Sequence, residues 1–333
     1  MKTIETGRII RKRVNDDTLY GELRAALGSM CQILSSVHIG AVEPMSSDLT
    51  CILSSGGKLL RPILAYMCCS MGAKREKNII PLMCMLELMH TASLIHDDVV
   101  DKADRRRNIP TINSIRGDGP AVQSGDFLLA RAMELLGIYK GTGINEMLAE
   151  VSYRMAVGEL EQQELRYEFG SQSKEAYFSL IYKKTAALLA ASCYCGAIAG
   201  GMQPGEAQTL YRYGENLGIA FQIRDDLIDY SEMHSDKAPG QDMRNGIFTL
   251  PVLILLDNGV PENIRSLLKK RGKTGDEVQS LMEYVRSSGV LAQTEQTLSE
   301  YCRKSENELG ELRSCHEKKA LTELVVSIAQ RIA

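Results

Sequence analysis

The chain has no tryptophan, and only five phenylalanines and five histidines occur among its 333 residues. Aromatic residues make up 5 %, too few for a site whose chemistry rests on aromatic faces. No CxxC pair occurs, which excludes a zinc ribbon and a thioredoxin-like motif. Charge of neither sign dominates: 39 Lys and Arg stand against 42 Asp and Glu, a net charge of −3. A polyanionic partner such as nucleic acid finds no bulk attraction there. Met1 to Asn15 carries Lys2, Arg8, Arg11, Lys12 and Arg13 without a continuous apolar stretch, so it does not read as a signal peptide. The longest apolar run, Ile79 to Ile95, contains Pro81, Glu87 and His90, whereas a spanning helix wants about 20 apolar residues with few polar ones. It reads as a helix buried on all sides. No long linker and no fixed-period repeat is present, which disfavours a solenoid.

What the chain has is helical periodicity almost throughout. Hydrophobic residues make up 44 % and charged residues 24 %, enough apolar material for a large core. Glycine and proline fall between the apolar segments, at Pro44, Gly72, Gly117 to Pro120, Gly141, Gly170, Gly200 to Gly205, Pro239-Gly240, Pro261 and Gly289, and mark off a dozen or so helices. The expectation is one all-α domain over 1–333, with shorter, more charged peripheral helices over 262–333. Five of the nine cysteines (Cys68, Cys69, Cys84, Cys193 and Cys195) sit in apolar runs, as small hydrophobes of a reduced cytoplasmic protein do.

Two aspartate clusters stand out. In the first, Leu94-Ile95-His96-Asp97-Asp98-Val99-Val100-Asp101, helical spacing puts Asp97 and Asp101 on one face, with Asp98 turned away. The second, Phe221 to Asp229, repeats the spacing with Asp225, Asp226 and Asp229. Carboxylates one turn apart repel, and beside apolar sequence they need a counter-charge. Mg²⁺ supplies it well, because it takes one or two carboxylates and completes its shell with waters and phosphate oxygens. A single such cluster beside Lys102, Arg105, Arg106 and Arg107 reads equally as a solvated, salt-bridged face; two copies of one spacing favour the metal.

Phosphates also need cations and N–H donors. Ser55 to Pro62 offers a glycine turn with Lys58 and Arg61. Lys183-Lys184-Thr185-Ala186 lies in an otherwise apolar helix, where a charge is costly without a partner. Lys237 follows the second cluster in a loop, and His90 stands two turns before Asp97 on nearly the same face. Each also has a plainer reading: a joining turn for the first, solvent exposure for Lys237, a satisfied core residue for His90. His96 reads as structural.

GGKLLRP (56–62), ELMHTASLIHDDVVDKADRRR (87–107), GDFLLARA (125–132), GELEQ (158–162), KTA (184–186), GIAFQIRDDLIDY (218–230), DKAPGQD (236–242) and TLP (249–251) follow in that order. In these stretches the chain resembles the trans-type isoprenyl diphosphate synthases, the polyprenyl synthetase family. The resemblance implies an all-α barrel of helices around a deep apolar cavity, a homodimer with a heteromer as the alternative, and head-to-tail condensation of isopentenyl diphosphate with an allylic diphosphate primer. It implies Mg²⁺, three ions per site, held by Asp97, Asp98, Asp101, Asp225, Asp226 and Asp229. Catalysis would fall to Asp97, Asp98, Asp101, Lys184, Gln222 and Asp225. Arg106, Lys184, Thr185, Gln222 and Lys237 would hold the allylic substrate; Lys58, Arg61, His90 and Arg107 would bind isopentenyl diphosphate. Leu59, Asn108 and Asp236 depart from the pattern, where a basic residue and two glycines are common.

Such a reaction ionises a C–O bond and needs no protein general base, which suits a chain without an evident nucleophile–base pair. A terpene cyclase would want aromatic walls and a different second motif, and a non-catalytic subunit of a heteromeric synthase would tend to lose one aspartate cluster. For product length, Ala92 and Ser93 are small where short-chain members place bulky residues. The face runs on through Met89 and Met85, with Met133, Leu136, Met147 and Leu148 as candidates for the floor that read equally as plain core. A medium-to-long product, about C30 to C50, follows, to be handed off to a membrane, with a short-chain (farnesyl or geranylgeranyl) diphosphate synthase as the alternative.

Overall fold

The computed structural model describes residues 17–38, 40–55, 57–73, 79–107, 109–230 and 240–330. Lys237 and Asp236 lie outside these residues, as do Gly56 and Asn108. Among the described residues sixteen α-helices account for nearly all regular structure. In chain order they are α1 Asp17–Leu34, α2 Met45–Ser54, α3 Leu60–Ser70, α4 Ile79–Val100, α5 Ile112–Arg116, α6 Asp118–Leu136, α7 Ile144–Leu165, α8 Lys174–Ile181, α9 Ala187–Ala199, α10 Pro204–Ile228, α11 Gln241–Arg244, α12 Leu250–Asp257, α13 Glu262–Lys269, α14 Gly275–Ser287, α15 Val290–Gly310 and α16 His316–Gln330. One hairpin, β1 Arg105–Arg106 against β2 Ile109–Pro110, is antiparallel with Arg106 opposite Ile109.

The chain divides into two compact units, each assembled from separate stretches. One comprises 1–150, 188–212 and 308–324; the other 151–187, 213–307 and 325–333. In the first, α4 packs against α1, α3 and α6. It is the one helix among the described residues long and apolar enough to cross a membrane, yet 67 % of its apolar window is buried within the protein. Apolar residues all round its surface have neighbours to meet on every side, as the uniform run from Ile79 predicts.

In the second unit the charged helices differ from the expectation. α15 is 21 residues long, not short. α14 is capped at Thr274 by a capping box with Glu277 and buries Val278, Leu281, Met282 and Val285. The charge that marked this segment covers only the outer faces of helices whose inner stripes join the core.

Candidate active site

In the first unit, the end of α4 sets the geometry. Asp101 N–H donates to the Asp97 carbonyl at 2.8 Å, so the two acids stand one turn apart. Lys102 then takes a left-handed φ of +50°. Its N–H bonds back to Val99 O and that of Ala103 to Asp98 O, a paired closure that ends the helix and frees the chain to turn. The β-hairpin that follows returns Arg106 over the helix end, where its Nε donates to Asp98 Oδ1 at 2.7 Å. Asp98 is buried, and the guanidinium supplies the countercharge that burial demands. Asp97 and Asp101 are half-buried.

Arg107 lies against the glycine turn: a Cβ on Gly57 would come within 2.8 Å of its guanidinium nitrogen. The turn ends at Leu59, left-handed at φ +48°, which leads into α3 and places Arg61 in its first turn. Arg61 faces Glu87 of α4, a residue to which the sequence pattern gives no role. Burial pushes the Glu87 carboxyl up, against the pull of Arg61 and Arg107. Burial also pushes Arg61 down to about 10, opposed by Glu87 and assisted by Arg107. Arg61 Nε is buried with no hydrogen-bond partner. His90, one turn beyond Glu87, is held neutral by burial and by Arg61, Arg107 and Arg106. A half-buried imidazole among three guanidinium groups offers an N–H without adding a charge. Lys58, three residues before Arg61, is exposed. The structure thus gathers Arg61, His90, Arg106 and Arg107, with Glu87 as their buried acid. Thr91, Asp98, Arg106, Arg107 and Thr111 line a recess here. His96 packs on Gly125, where a Cβ would meet its ring at 2.2 Å, and its Nε2 lies 3.2 Å from Val122 O, the structural role expected of it.

In the second unit, residues Tyr182–Ala186 form a π-helical turn between α8 and α9. The extra residue in that turn re-aims side chains that regular spacing would place elsewhere. Lys184 Nζ meets Glu159 Oε2 and Gln162 Oε1, both at 2.5 Å, while Lys183 pairs with Glu161 at 2.6 Å. Gly158 permits the approach: a Cβ there would lie 2.9 Å from Lys183 Cβ and 3.0 Å from Lys184 Cγ. The GELEQ stretch is therefore the seat of the two lysines, a role its sequence alone does not reveal.

Gln222, Asp225 and Asp226 lie on α10, and Asp229 follows its last residue. Thr185 Oγ1 donates to Gln222 Oε1 at 2.8 Å, and Gln222 Nε2 donates to Asp226 Oδ1 at 3.1 Å. Tyr177 donates its hydroxyl to Asp226 Oδ2 at 2.6 Å. Asp226 is 5 % exposed, and burial pushes its carboxyl up to about 7 despite these two bonds. Burial beside Asp226 raises Tyr177 well above the usual phenol range. Asp225, by contrast, is exposed and lies 3.2 Å from the Arg224 guanidinium. Asp229 accepts the Gly240 N–H at 3.0 Å. The three acids of each cluster thus do different things: Asp98 and Asp226 are buried and bonded to protein, while their neighbours one turn apart are more open.

The donor set fits a hard divalent cation. Asp97 with Asp101 and Asp225 with Asp229 are carboxylate pairs at i, i+4, and Mg²⁺ needs only one or two such ligands beside phosphate and water. No cluster of three or more His, Cys, Asp or Glu side chains arranged for a metal occurs among the described residues.

Of the residues named for product length, Ala92, Met85 and Leu148 are 0 % and Met89 2 % exposed. Ser93, half-buried, donates its hydroxyl to His90 O at 2.8 Å, and Leu136 and Met147 are half-buried. Met133 is 40 % exposed.

The sequence pattern described as polyprenyl synthetase matches residues 43–285. Component 2 of a heptaprenyl diphosphate synthase from Geobacillus stearothermophilus is 31 % identical over 317 residues, covering 94 % of this chain and 98 % of that protein. Octaprenyl diphosphate synthase of Escherichia coli (strain K12) is 31 % identical over 312 residues, covering 90 % of this chain and 96 % of its own. Among solved structures, a polyprenyl synthase from Caulobacter crescentus CB15, complexed with calcium and isoprenyl diphosphate, superposes with a TM-score of 0.87 at 29 % identity, covering 95 % of this chain and 98 % of that one.

Proposed function

The chain belongs to the polyprenyl synthetase family, and on that premise we propose that it is a trans-polyprenyl diphosphate synthase. It joins isopentenyl diphosphate head-to-tail to an allylic diphosphate, repeatedly, to a medium or long product of about C30 to C50. The observation that carries this reading is the pair of aspartate clusters, each beside fixed basic side chains and each with one acid buried on protein partners.

Asp97, Asp101, Asp225 and Asp229 are the carboxylates available to hold Mg²⁺, three ions as the family resemblance has it. When bound, the metal supplies Lewis-acid stabilisation of the charge that develops on diphosphate. The chain's own residues do the rest. Lys184, steadied by Glu159 and Gln162, presents a fixed cation to the allylic diphosphate. Thr185 and Gln222 present oxygens to the allylic cation. Arg61, Arg107 and Lys58 bind isopentenyl diphosphate, and neutral His90 adds an N–H donor. Arg106, whose Nε donates to Asp98, joins Lys184 in holding the allylic diphosphate. Proton loss goes to the departing diphosphate.

The test is to incubate the purified chain alone with radiolabelled isopentenyl diphosphate, an allylic primer and Mg²⁺, and to weigh the products by mass spectrometry. Condensation strictly dependent on Mg²⁺ is expected. Asp97→Ala and Asp225→Ala should each lower turnover by about 10²-fold or more with helical content unchanged. Near-native turnover in both variants sinks the metal assignment. Activity only after a second polypeptide is added would make this chain one subunit of a heteromer. The relative from Geobacillus stearothermophilus carries the words "component 2" in its name.

A further inference from the structure

Four side chains of the second unit form one hydrogen-bonded line: Tyr177, Asp226, Gln222 and Thr185. Tyr177 comes from α8, Thr185 from the π turn, and the other two from α10 one turn apart. Each bond runs in a fixed direction. The Tyr177 hydroxyl and the Gln222 amide N–H₂ both donate to Asp226, one to each oxygen, at 2.6 and 3.1 Å. The Thr185 hydroxyl donates to Gln222 Oε1 at 2.8 Å.

An amide side chain is nearly symmetric in shape but opposite in polarity at its two ends. Only an acceptor beside Nε2 and a donor beside Oε1 decide which end points where. Asp226 is that acceptor. Its carboxylate could rotate or turn to water, but it is 5 % exposed and its second oxygen is tied by Tyr177, itself 6 % exposed. A buried network in which each hydrogen bond is satisfied fixes one arrangement.

We infer that Tyr177 is a positioning residue: it holds Asp226 in the one orientation that keeps the Gln222 amide with its oxygen, not its N–H₂, on the Thr185 side. This rests on the reading that Gln222 and Thr185 attend the allylic cation. An amide turned round would present N–H dipoles to a positive centre and raise the barrier, with little effect on how the diphosphates bind. It also gives Asp226 a different task from Asp225 in the same motif: the first anchors an amide, the second stays open for metal.

The experiment is steady-state kinetics on the full chain with both diphosphates and Mg²⁺, on Tyr177→Phe, Gln222→Ala and the double variant. Tyr177→Phe should lower kcat about tenfold, with both KM values and the half-saturating Mg²⁺ concentration within about twofold of wild type. Gln222→Ala should lower kcat at least as much. In the Gln222→Ala background, Tyr177→Phe should cost little more, about twofold or less, because its action passes through the amide. A full tenfold cost there overturns the inference, as does a wild-type kcat in Tyr177→Phe. A fully active Gln222→Ala overturns it as well and removes Gln222 from the proposed reaction, while loss in the aspartate variants would leave the synthase reading standing. Should Tyr177→Phe fail to fold, Asp226→Ala replaces it. That variant removes the acceptor beside Gln222 Nε2, so kcat should fall about tenfold or more, with both KM values and the half-saturating Mg²⁺ concentration within about twofold of wild type. A wild-type kcat, or a raised Mg²⁺ requirement, would overturn the anchoring role.

Discussion

Lys273 is 3 % exposed; its Nζ donates to the Lys270 carbonyl at 2.8 Å and lies 5.5 Å from the Tyr167 ring centre. Burial pushes its ammonium down to about 8, against the pull of Glu277. Between that value and the ordinary lysine range near 10.4, the unfolded chain binds more protons than the folded one. Stability from this group therefore rises with pH through that window and is at its lowest below it. Urea unfolding midpoints of wild type and Lys273→Met should converge or cross in wild type's favour between about pH 8 and 10.4. A difference that stays flat across the window would show that Lys273 titrates normally. Glu87 illustrates the same balance inside the proposed site, where a buried acid is retained because two guanidinium groups face it.

At the scale of helices, α3 and α9 approach so closely that side chains are excluded. A Cβ on Gly196 would lie 2.2 Å from Ala65 O, and one on Gly200 2.2 Å from Cys69 O. Gly196 and Gly200 are four apart, as are Ala65 and Cys69, so successive turns meet backbone to backbone. Cys68 and Cys193 hydrogen-bond thiol to thiol in the same seam, both 0 % exposed. Gly196→Ala should cost about 1–3 kcal/mol in chemical unfolding, because the backbone it meets cannot swing aside. Gly28→Ala, inside α1 with open space around it, should instead gain about 0.4–1 kcal/mol. Equal effects at the two positions would mean that the helices separate easily. These contacts also mark what the sequence could convey. The run from Ile79 announced a buried helix because every turn of it is apolar, and the two aspartate spacings announced themselves by repeating. The hairpin at Arg105 to Pro110 has two-residue strands, too short to carry a period, and the π turn at Tyr182–Ala186 differs from a helix by one residue. Tyr177 and Asp226 are 49 positions apart, and Glu159 reaches Lys184 from another helix; neither pairing has any local signal.

At the scale of the whole molecule the open quantity is how long a product the protein makes, and α4 carries the argument. Its carboxylates lie at the C-terminal end and the chain-length candidates one to four turns back, at Ser93, Ala92, Met89 and Met85. One helical turn rises about 5.4 Å, close to one extended isoprene unit, so a blocked turn removes about one unit of growth. Ala92 and Ser93 are small, and Ser93 spends its hydroxyl on His90 O, leaving only methylene bulk on that face. Ala92→Phe places a ring where the structure holds one methyl, 0 % exposed, and leaves every proposed metal carboxylate in place. The wild-type protein should release products of about C30 to C50, and Ala92→Phe products of about C15 to C20, with primer consumption retained. Two results would refute this direction of growth: a wild-type product that stops at C15, or an Ala92→Phe protein that is less stable yet makes the wild-type product. The second would place Ala92 in helix packing against α3 or α6, where an added ring costs stability through overpacking without touching the growing chain.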